Sequence, residues 1–424
     1  MVIKNFYSLS EVANMLGKTT ETLRRWDKSG KLVAVREPMS NYRVYRKEQL
    51  KIFDELDYLF KKTEVNNEQK AAKNFSVLEL FAGAGGLAIG LEQAGLKCLA
   101  LNEYDHWAAE TLRANRPNWN VIEDDIRNVS FEKFKGKVDV VTGGFPCQAF
   151  SYAGKKLGLQ DARGTLFYEF ARAVNETKPL ICVGENVRGL LNHDNGRTIE
   201  GMISILEELG YKVLNPRILK AIYYKVPQKR ERLILVGIRK DIDLDFQFPN
   251  PFKKIYTLKD ALKKGELYPT NVPLSLGPSY PKRKKEILDL IPQGGYWRDL
   301  PLKLQKEYMQ KSFYLGGGKT GIARRISWNE PCLTLTCSPA QKQTERCHPE
   351  ETRPFRVREY ARIQTFPDDW KFAGSTSQQY KQIGNAVPVN LAKEIGFSLI
   401  KFLNEYYSLN GKTGSKKVAS IKRV

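Results

Sequence analysis

The sequence predicts an α/β protein: an open, largely parallel sheet with helices on its faces, a small unit in front of it, and a basic stretch inserted late in the chain. Short β-branched runs such as Val138-Asp139-Val140-Val141-Thr142 and Leu180-Ile181-Cys182-Val183-Gly184 alternate with helical stretches, the rhythm of βα units. Two strands also end in glycine-rich turns, Phe81-Ala82-Gly83-Ala84-Gly85-Gly86-Leu87 and Gly143-Gly144-Phe145-Pro146-Cys147-Gln148-Ala149-Phe150-Ser151. Ligands of such sheets bind outside the carboxyl ends of the strands. A lone cysteine is more often a small buried hydrophobe, but Cys147 at that edge is placed for chemistry.

With 424 residues and 42% hydrophobic content, the chain is long enough for two or three domains with a sizeable core. Its net charge of +22 suits a polyanionic partner, nucleic acid before an anionic membrane. No apolar run is long enough to span a bilayer, and Met1-Val2-Ile3-Lys4-Asn5-Phe6 lacks the apolar core of a signal peptide, so a cytoplasmic protein without membrane contact is expected. The six cysteines follow no disulfide framework. Cys332, Cys337, Cys347 and His348 lack Cys-x-x-Cys spacing, so no metal is expected.

From the amino terminus, Leu9, Val12, Ala13 and Leu16 mark one helix face, with Ser8 and Glu11 spaced as a capping box. Gly17 ends that helix, and Thr19 or Thr20 caps a second one running to Gly30. Arg24, Arg25 and Lys28 stand on the second helix, and Asn41-Tyr42-Arg43-Val44-Tyr45-Arg46 reads as a basic β-wing. The unit, residues 1–60, resembles the winged helix-turn-helix of the mercury-resistance-regulator (MerR) type. DNA contact through Arg24, Arg25, Lys28 and Arg43 follows from that resemblance. Residues 61–74, polar and without an apolar stripe, read as a linker.

Residues 76–81 form the first strand of the main domain, and the glycines after it let a ligand approach the backbone. The turn is neither G-x-G-x-x-G nor a P-loop, which argues against dinucleotides and triphosphates. The next strand ends at Glu103, about 20 residues on, where an acid can accept both ribose hydroxyls. Tyr104 beside it offers a ring face, and the strand at Val121 leads to Asp125 and Ile126.

The glycine-rich turn and the Pro-Cys segment, in this order, resemble the signature of the DNA cytosine-5 methyltransferases. The resemblance extends over residues 76 to about 405, through Glu185-Asn186-Val187, Gln228-Lys229-Arg230-Glu231-Arg232, Glu330–Thr336, Arg353–Gln364 and Gln382–Pro388. It implies a Rossmann-like S-adenosylmethionine-dependent methyltransferase domain with an inserted target-recognition region. Cys147 would be the nucleophile at cytosine C6, and Glu185 would act at N3. Arg232 would meet O2, with Arg230 nearby on phosphate or base. Phe81, Gly83, Gly85, Gly86, Leu87, Glu103, Tyr104, Asp125, Ile126, Pro146 and Asn385 would hold S-adenosylmethionine, and Gln148 and Ser151 would touch DNA. Residues 151–164, glycine-punctuated and basic, would close over an extruded base.

Residues 253–325 carry 16 basic and 6 acidic residues. Their loops, including Arg298, can follow a phosphate backbone, so this stretch is expected to choose the target sequence. The resulting division is 75–252 and 326–408 for the catalytic domain around that insertion. The final helix from Leu391 is expected beside the first strand, and residues 409–424 form a basic tail without fixed structure. The expected protein is a monomeric modification enzyme for double-stranded DNA, with a cognate restriction endonuclease acting on the same site. A transcription regulator with a degenerate nucleotide sensor is one rival, disfavoured by the intact Cys147, Glu185 and Arg232. An RNA cytosine methyltransferase is the other, disfavoured by the large separate basic region.

Overall fold

A computed structural model describes residues 5–16, 18, 20–38, 40–53, 56, 66–146, 165–316 and 319–421. The chain forms two compact units, one of residues 1–66 with 250–255, the other of 67–249 with 256–424.

In the first unit, strand β1 (Phe6–Ser8) leads directly into helix α1 (Leu9–Met15), followed by α2 (Thr20–Lys28), β2 (Val35–Arg36) and β3 (Arg43–Arg46). Ser8 and Glu11 form the reciprocal capping box, Ser8 N donating to Glu11 Oε2 at 2.8 Å and Glu11 N to Ser8 Oγ at 3.2 Å. The strands make one antiparallel sheet in the order β1-β3-β2. Its core is Tyr7, Val12, Leu16, Leu23, Tyr45 and Leu50. Asp27, near the end of α2, accepts from Ala34 N at 2.9 Å and pairs with Arg43 Nε at 2.7 Å, tying the wing to the helix.

The second unit is built on a mixed sheet of eight strands. Strands β4 (Ser76–Leu80), β5 (Lys97–Glu103), β6 (Val121–Glu123), β7 (Val140–Gly143) and β8 (Ile181–Val187) are parallel, in the order β8-β7-β4-β5-β6. Strands β9 (Tyr211–Val213) and β10 (Arg217–Lys220) both pair antiparallel with the later strand β12 (Glu231–Arg239), which pairs antiparallel with β8. The short strand β11 (Gln228–Lys229) precedes β12 and pairs in parallel with β13 (Cys332–Leu333). Alternation along β5 shows the two-faced burial. Ala100 joins the core that holds Phe167, Phe170 and Ile205, and Leu101 joins the one that holds Leu112, Tyr360 and Ile383. Helices α3 (Gly86–Ala94), α4 (His106–Asn115), α5 (Leu166–Thr177) and α6 (Arg197–Glu208) connect the strands.

The remaining helices are α7 (Leu258–Leu262), α8 (Lys282–Asp289), α9 (Leu302–Met309), α10 (Val357–Ile363), α11 (Thr376–Asn385) and α12 (Val389–Ile421). A separate small core gathers Tyr280, Ile287, Leu288, Trp297, Tyr308, Met309 and Ile322. The boundaries drawn at 253 and 325 therefore shift. Leu258, Ala261 and Leu262 pack in the sheet-side core with Tyr360, whereas Ala340 and Cys347 fill the small one. Basic charge marks surface, and packing crosses the point where the charge stops.

Helix α12 packs on α3, where a Cβ on Gly90 would meet that of Ala392 at 2.4 Å, so only glycine permits the approach, and it reaches the start of the first strand, the Tyr407 ring stacking on Phe75 at 5.7 Å. Two further expectations are corrected. The second half of the linker is held on α12, with Asn67 Nδ2 donating to Glu394 Oε2 and Ala72 N to Asn404 Oδ1, both at 2.9 Å, and Lys73 Nζ lying 3.3 Å from the centre of the Tyr407 ring. Polar composition there serves hydrogen bonding to a helix. The basic tail continues α12 to Ile421, since no proline follows Pro388 to stop it.

Candidate active site

A cavity of about 650 Å³ opens at the carboxyl edge of β4, β5, β7 and β8. That volume lies in the ordinary range for a small-molecule site. One side of its wall is the turn after β4, with Phe81, Ala82, Gly83, Ala84, Gly86 and Leu87. Gly85 caps α3 at φ 86°, and a Cβ there would lie 2.8 Å from the Leu112 side chain, so turn and packing both require glycine. Glu103 closes the turn from β5: its Oε2 accepts from Gly83 N at 2.6 Å and its Oε1 from Asp105 N at 2.7 Å. Burial raises the Glu103 carboxyl above its ordinary pKa despite these donors.

The other end of the cavity carries Pro146, Glu185, Arg230, Arg232 and Asn385. Glu185 on β8 faces Ile234 on β12, which makes Arg232, two residues away, its neighbour on the same face. Arg232 Nε lies 2.6 Å from Glu185 Oε1. Burial pushes the Glu185 carboxyl up, with Arg232 and then Arg230 opposing the shift. The sheet register thus supplies a buried acid and a cation aimed into one space.

Arg230 requires a correction. It falls between β11 and β12, only 2% exposed, and its guanidinium donates to the carbonyls of Leu335 (3.2 Å), Gly384 (2.9 Å) and Asn385 (3.4 Å). Those bonds hold the cavity wall together and leave no exposed cation for a phosphate. Cys147, Gln148 and Ser151 lie outside the described residues, within 147–164. The approach to them is described: Asn186 Nδ2 donates to the Phe145 carbonyl at 2.7 Å, and the Phe145 ring packs edge-on against Phe167 at 5.1 Å.

Phe81, Gly83, Gly86, Leu87, Glu103, Pro146 and Asn385 line the cavity, whereas Gly85, Tyr104, Asp125 and Ile126 do not. Tyr104 is 75% exposed. Asp125 caps the turn that follows it and accepts from Arg127 Nε at 2.9 Å, while Ile126 is turned into the core. Wall residues with no site assignment in the sequence are Glu79, Asp105, Asn186, Thr336, Cys337 and Lys381, although Asn186 and Thr336 fall in segments that carry the resemblance. Glu79 had a readable signal, a charge inside the apolar run Val77-Leu78-Glu79-Leu80.

Among the DNA candidates, Arg24, Arg25 and Lys28 are exposed on α2, Arg24 with Glu21 at 3.2 Å. Arg43 is instead held by Asp27. Arg298 is exposed, its guanidinium 5.2 Å from the centre of the Trp297 ring. His106, Glu110 and Glu123 converge, but Arg113 bonds both carboxylates and supplies the cation such a group would seek. No helix among the described residues is long and apolar enough to cross a membrane.

A glycine-rich turn, a buried acid at the end of β5 and a buried Glu–Arg pair share one sheet edge, the arrangement of a ligand-binding α/β enzyme. The chain belongs to the C-5 cytosine-specific DNA methylase family, whose sequence model it matches over residues 75–401. It is a DNA (cytosine-5-)-methyltransferase of the type II kind, and DNA is its substrate. Residues 7–69 match the MerR helix-turn-helix family of regulatory proteins. The chain is 63% identical over 407 residues to the type II methyltransferase M.Eco47II of Escherichia coli, covering 95% of this chain and 97% of that one. It is 57% identical over 403 residues to M.PspPI of a Psychrobacter species, covering 94% and 97%. A solved structure described as a DNA modification methyltransferase encoded within an E. coli prophage superposes with a TM-score of 0.60 at 25% identity, over 78% of this chain and all of the other.

Proposed function

We propose that this methyltransferase works through a covalent adduct between Cys147 and cytosine C6, with S-adenosylmethionine as methyl donor. The buried Glu185–Arg232 pair in the same cavity as the glycine-rich turn carries this reading. Cytosine C5 is too weak a nucleophile to be methylated directly. Addition of the Cys147 thiolate to C6 makes C5 enamine-like. Glu185, its pKa raised by burial, is the acid that holds or protonates N3. Arg232 offers its guanidinium to O2 and balances the charge that develops there. Once C5 carries the methyl group, the C5 proton passes to solvent and the N3 proton returns to Glu185, which lets the thiolate leave and restores the ring. The target base must leave the duplex to reach this site, at a cost of a few kcal/mol that basic contacts on the strand offset.

The residues present fit the donor. The cavity is large enough, Glu103 is placed for ribose hydroxyls, and the backbone of the glycine-rich turn is accessible beside it. When bound, S-adenosylmethionine supplies the electrophilic methyl group. Pro146 and Asn385 complete that wall, and Asp125 and Tyr104, outside the cavity wall as it stands, would have to turn toward the adenine to take part.

The basic small region around α8 and α9 is assigned to target choice, with Arg298 on its surface. That both ends of the cavity come from one chain supports the reading of a monomeric enzyme. We assign the enzyme to the cytoplasm as the modification partner of a restriction endonuclease that reads the same site without touching it. The helix-turn-helix, through Arg24, Arg25 and Lys28, binds DNA of its own, and promoter control of its own operon is the role assigned to it.

The test is trapping. DNA carrying 5-fluorocytosine at the target should form a covalent complex with the wild-type protein and the methyl donor, and none with Cys147→Ser. A wild-type protein that methylates normal DNA but traps no adduct would overturn the covalent route.

A further inference from the structure

Of the acids that line the donor's cavity, Glu79 and Glu103 are treated oppositely by their surroundings. Glu103 has both oxygens bonded to backbone N–H groups. Glu79, on β4, is 2% exposed, lines the cavity, and its Oε2 has no hydrogen-bond partner among the described residues. Beside it in register on β7 is Thr142, whose hydroxyl is likewise buried and without a partner among those residues. The α3 side offers the Ala88 N–H, and β5 brings Glu103 and the thiol of Cys98. No cation is among the groups acting on Glu79. Burial, with Glu103 adding to it, raises this carboxyl to about 8, so at neutral pH it holds its proton.

A buried acid without a counter-ion, in a cavity whose ligand brings a positive charge, is a proton-linked recognition group. We propose that Glu79 is the counter-ion for the sulfonium donor, giving its proton to solvent as the donor binds and taking one back when methyl transfer leaves a neutral thioether. This rests on S-adenosylmethionine being the ligand of the cavity. The balance is simple. The protonated acid and the cationic donor give a carboxylate paired with that donor and one released proton; once the charge on sulfur is gone, the carboxylate recovers a proton from solvent.

Titration calorimetry of the full chain, in two buffers of different ionisation heat at pH 7, reads this directly. Donor and S-adenosylhomocysteine are titrated separately. Wild-type protein should release on the order of one proton per donor bound, given a carboxyl mostly protonated at that pH, and far less with the product. Glu79→Gln, which keeps an oxygen for Ala88 N–H, should release none. Its donor affinity should fall roughly tenfold, the factor equivalent to one pKa unit, with product affinity unchanged. Donor binding without proton release in the wild type, or release that survives in Glu79→Gln, overturns the assignment and leaves the cofactor reading standing. Should the variant fail to fold, the wild-type difference between donor and product decides alone. Failure of either ligand to bind would sink the cofactor reading and this inference together.

Discussion

Asn186 holds Phe145: its Nδ2 donates to the Phe145 carbonyl at 2.7 Å, and its Oδ1 accepts from Val187 N at 2.8 Å. One side chain thus fixes the strand end carrying Glu185 against the turn that leads through Pro146 to Cys147. Replacement by alanine should leave donor affinity unchanged and lower the single-turnover methylation rate about 100-fold, the scale expected when reacting groups are misplaced by about 1 Å. A variant with normal rate and normal donor binding would show that the bond has no part in positioning.

The acid at Glu185 gives a pH signature. Its protonated form is present below its raised pKa and is lost as pH rises through that value, so methylation should fall on the alkaline side. Arg232 is the nearer of the two cations that hold the pKa down. Arg232→Gln should therefore move the alkaline limb to higher pH, even as it lowers the maximal rate by roughly 100-fold through lost transition-state stabilisation. A rate profile whose limb stays in place would separate Glu185 from the observed ionisation.

In the amino-terminal unit, Arg43 and Arg25 should behave differently. Arg43 spans 2.7 Å to Asp27, a partly buried pair between wing and helix, and Arg43→Ala should cost that unit about 1 kcal/mol of stability. Arg25 is exposed on α2, and Arg25→Ala should leave stability within about 0.5 kcal/mol while weakening DNA binding and its salt dependence. Thermal unfolding and DNA titration of the two variants, side by side, check the assignment.

Deletion of the amino-terminal unit should depend on where the chain is cut. A chain starting at Asn67 keeps the bonds from Asn67 to Glu394 and from Ala72 to Asn404. One starting at Asn74 leaves the buried Glu394 without Asn67, whose bond lowers its pKa, and should unfold several degrees lower. The longer chain should methylate normally and lose only binding to the upstream region of its own gene. Loss of methylation in the chain from Asn67 would make the helix-turn-helix part of the catalytic body.

Much of this architecture is legible in the sequence, because strand and helix periods and glycine turns are local. The strand at Ser76, the turn, the acid at Glu103 and the capping box at Ser8 fall where their residues predict. What is not legible depends on contacts between distant segments. The basic side chains at Arg230, Arg232, Arg25 and Arg43 look alike in sequence, yet one clamps three carbonyls, one pairs with an acid, one is exposed and one braces a wing. The role of Asn186 depends on Phe145, 41 residues earlier. Glu79 is readable as a charge in an apolar strand, but that its Oε2 has no partner among the described residues emerges only from the fold.

The pairing of β11 with β13 gives the enzyme a kind of socket. The chain leaves for the small basic region after α7, whose Leu258 and Lys259 N–H groups donate to the Glu330 and Trp328 carbonyls, and comes back at Cys332–Leu333 beside Gln228–Lys229, where Arg230 fastens the returning strand through the Leu335 carbonyl. Exit and re-entry are pinned at the same spot whatever lies between. Lengthening a loop held at both ends is entropically inexpensive, about 0.6 kcal/mol per doubling. If the small region chooses the target as proposed, a lineage built this way can trade one reading head for another while its chemistry stays put, and new modification specificities arise by exchange of a cassette instead of reinvention of an enzyme.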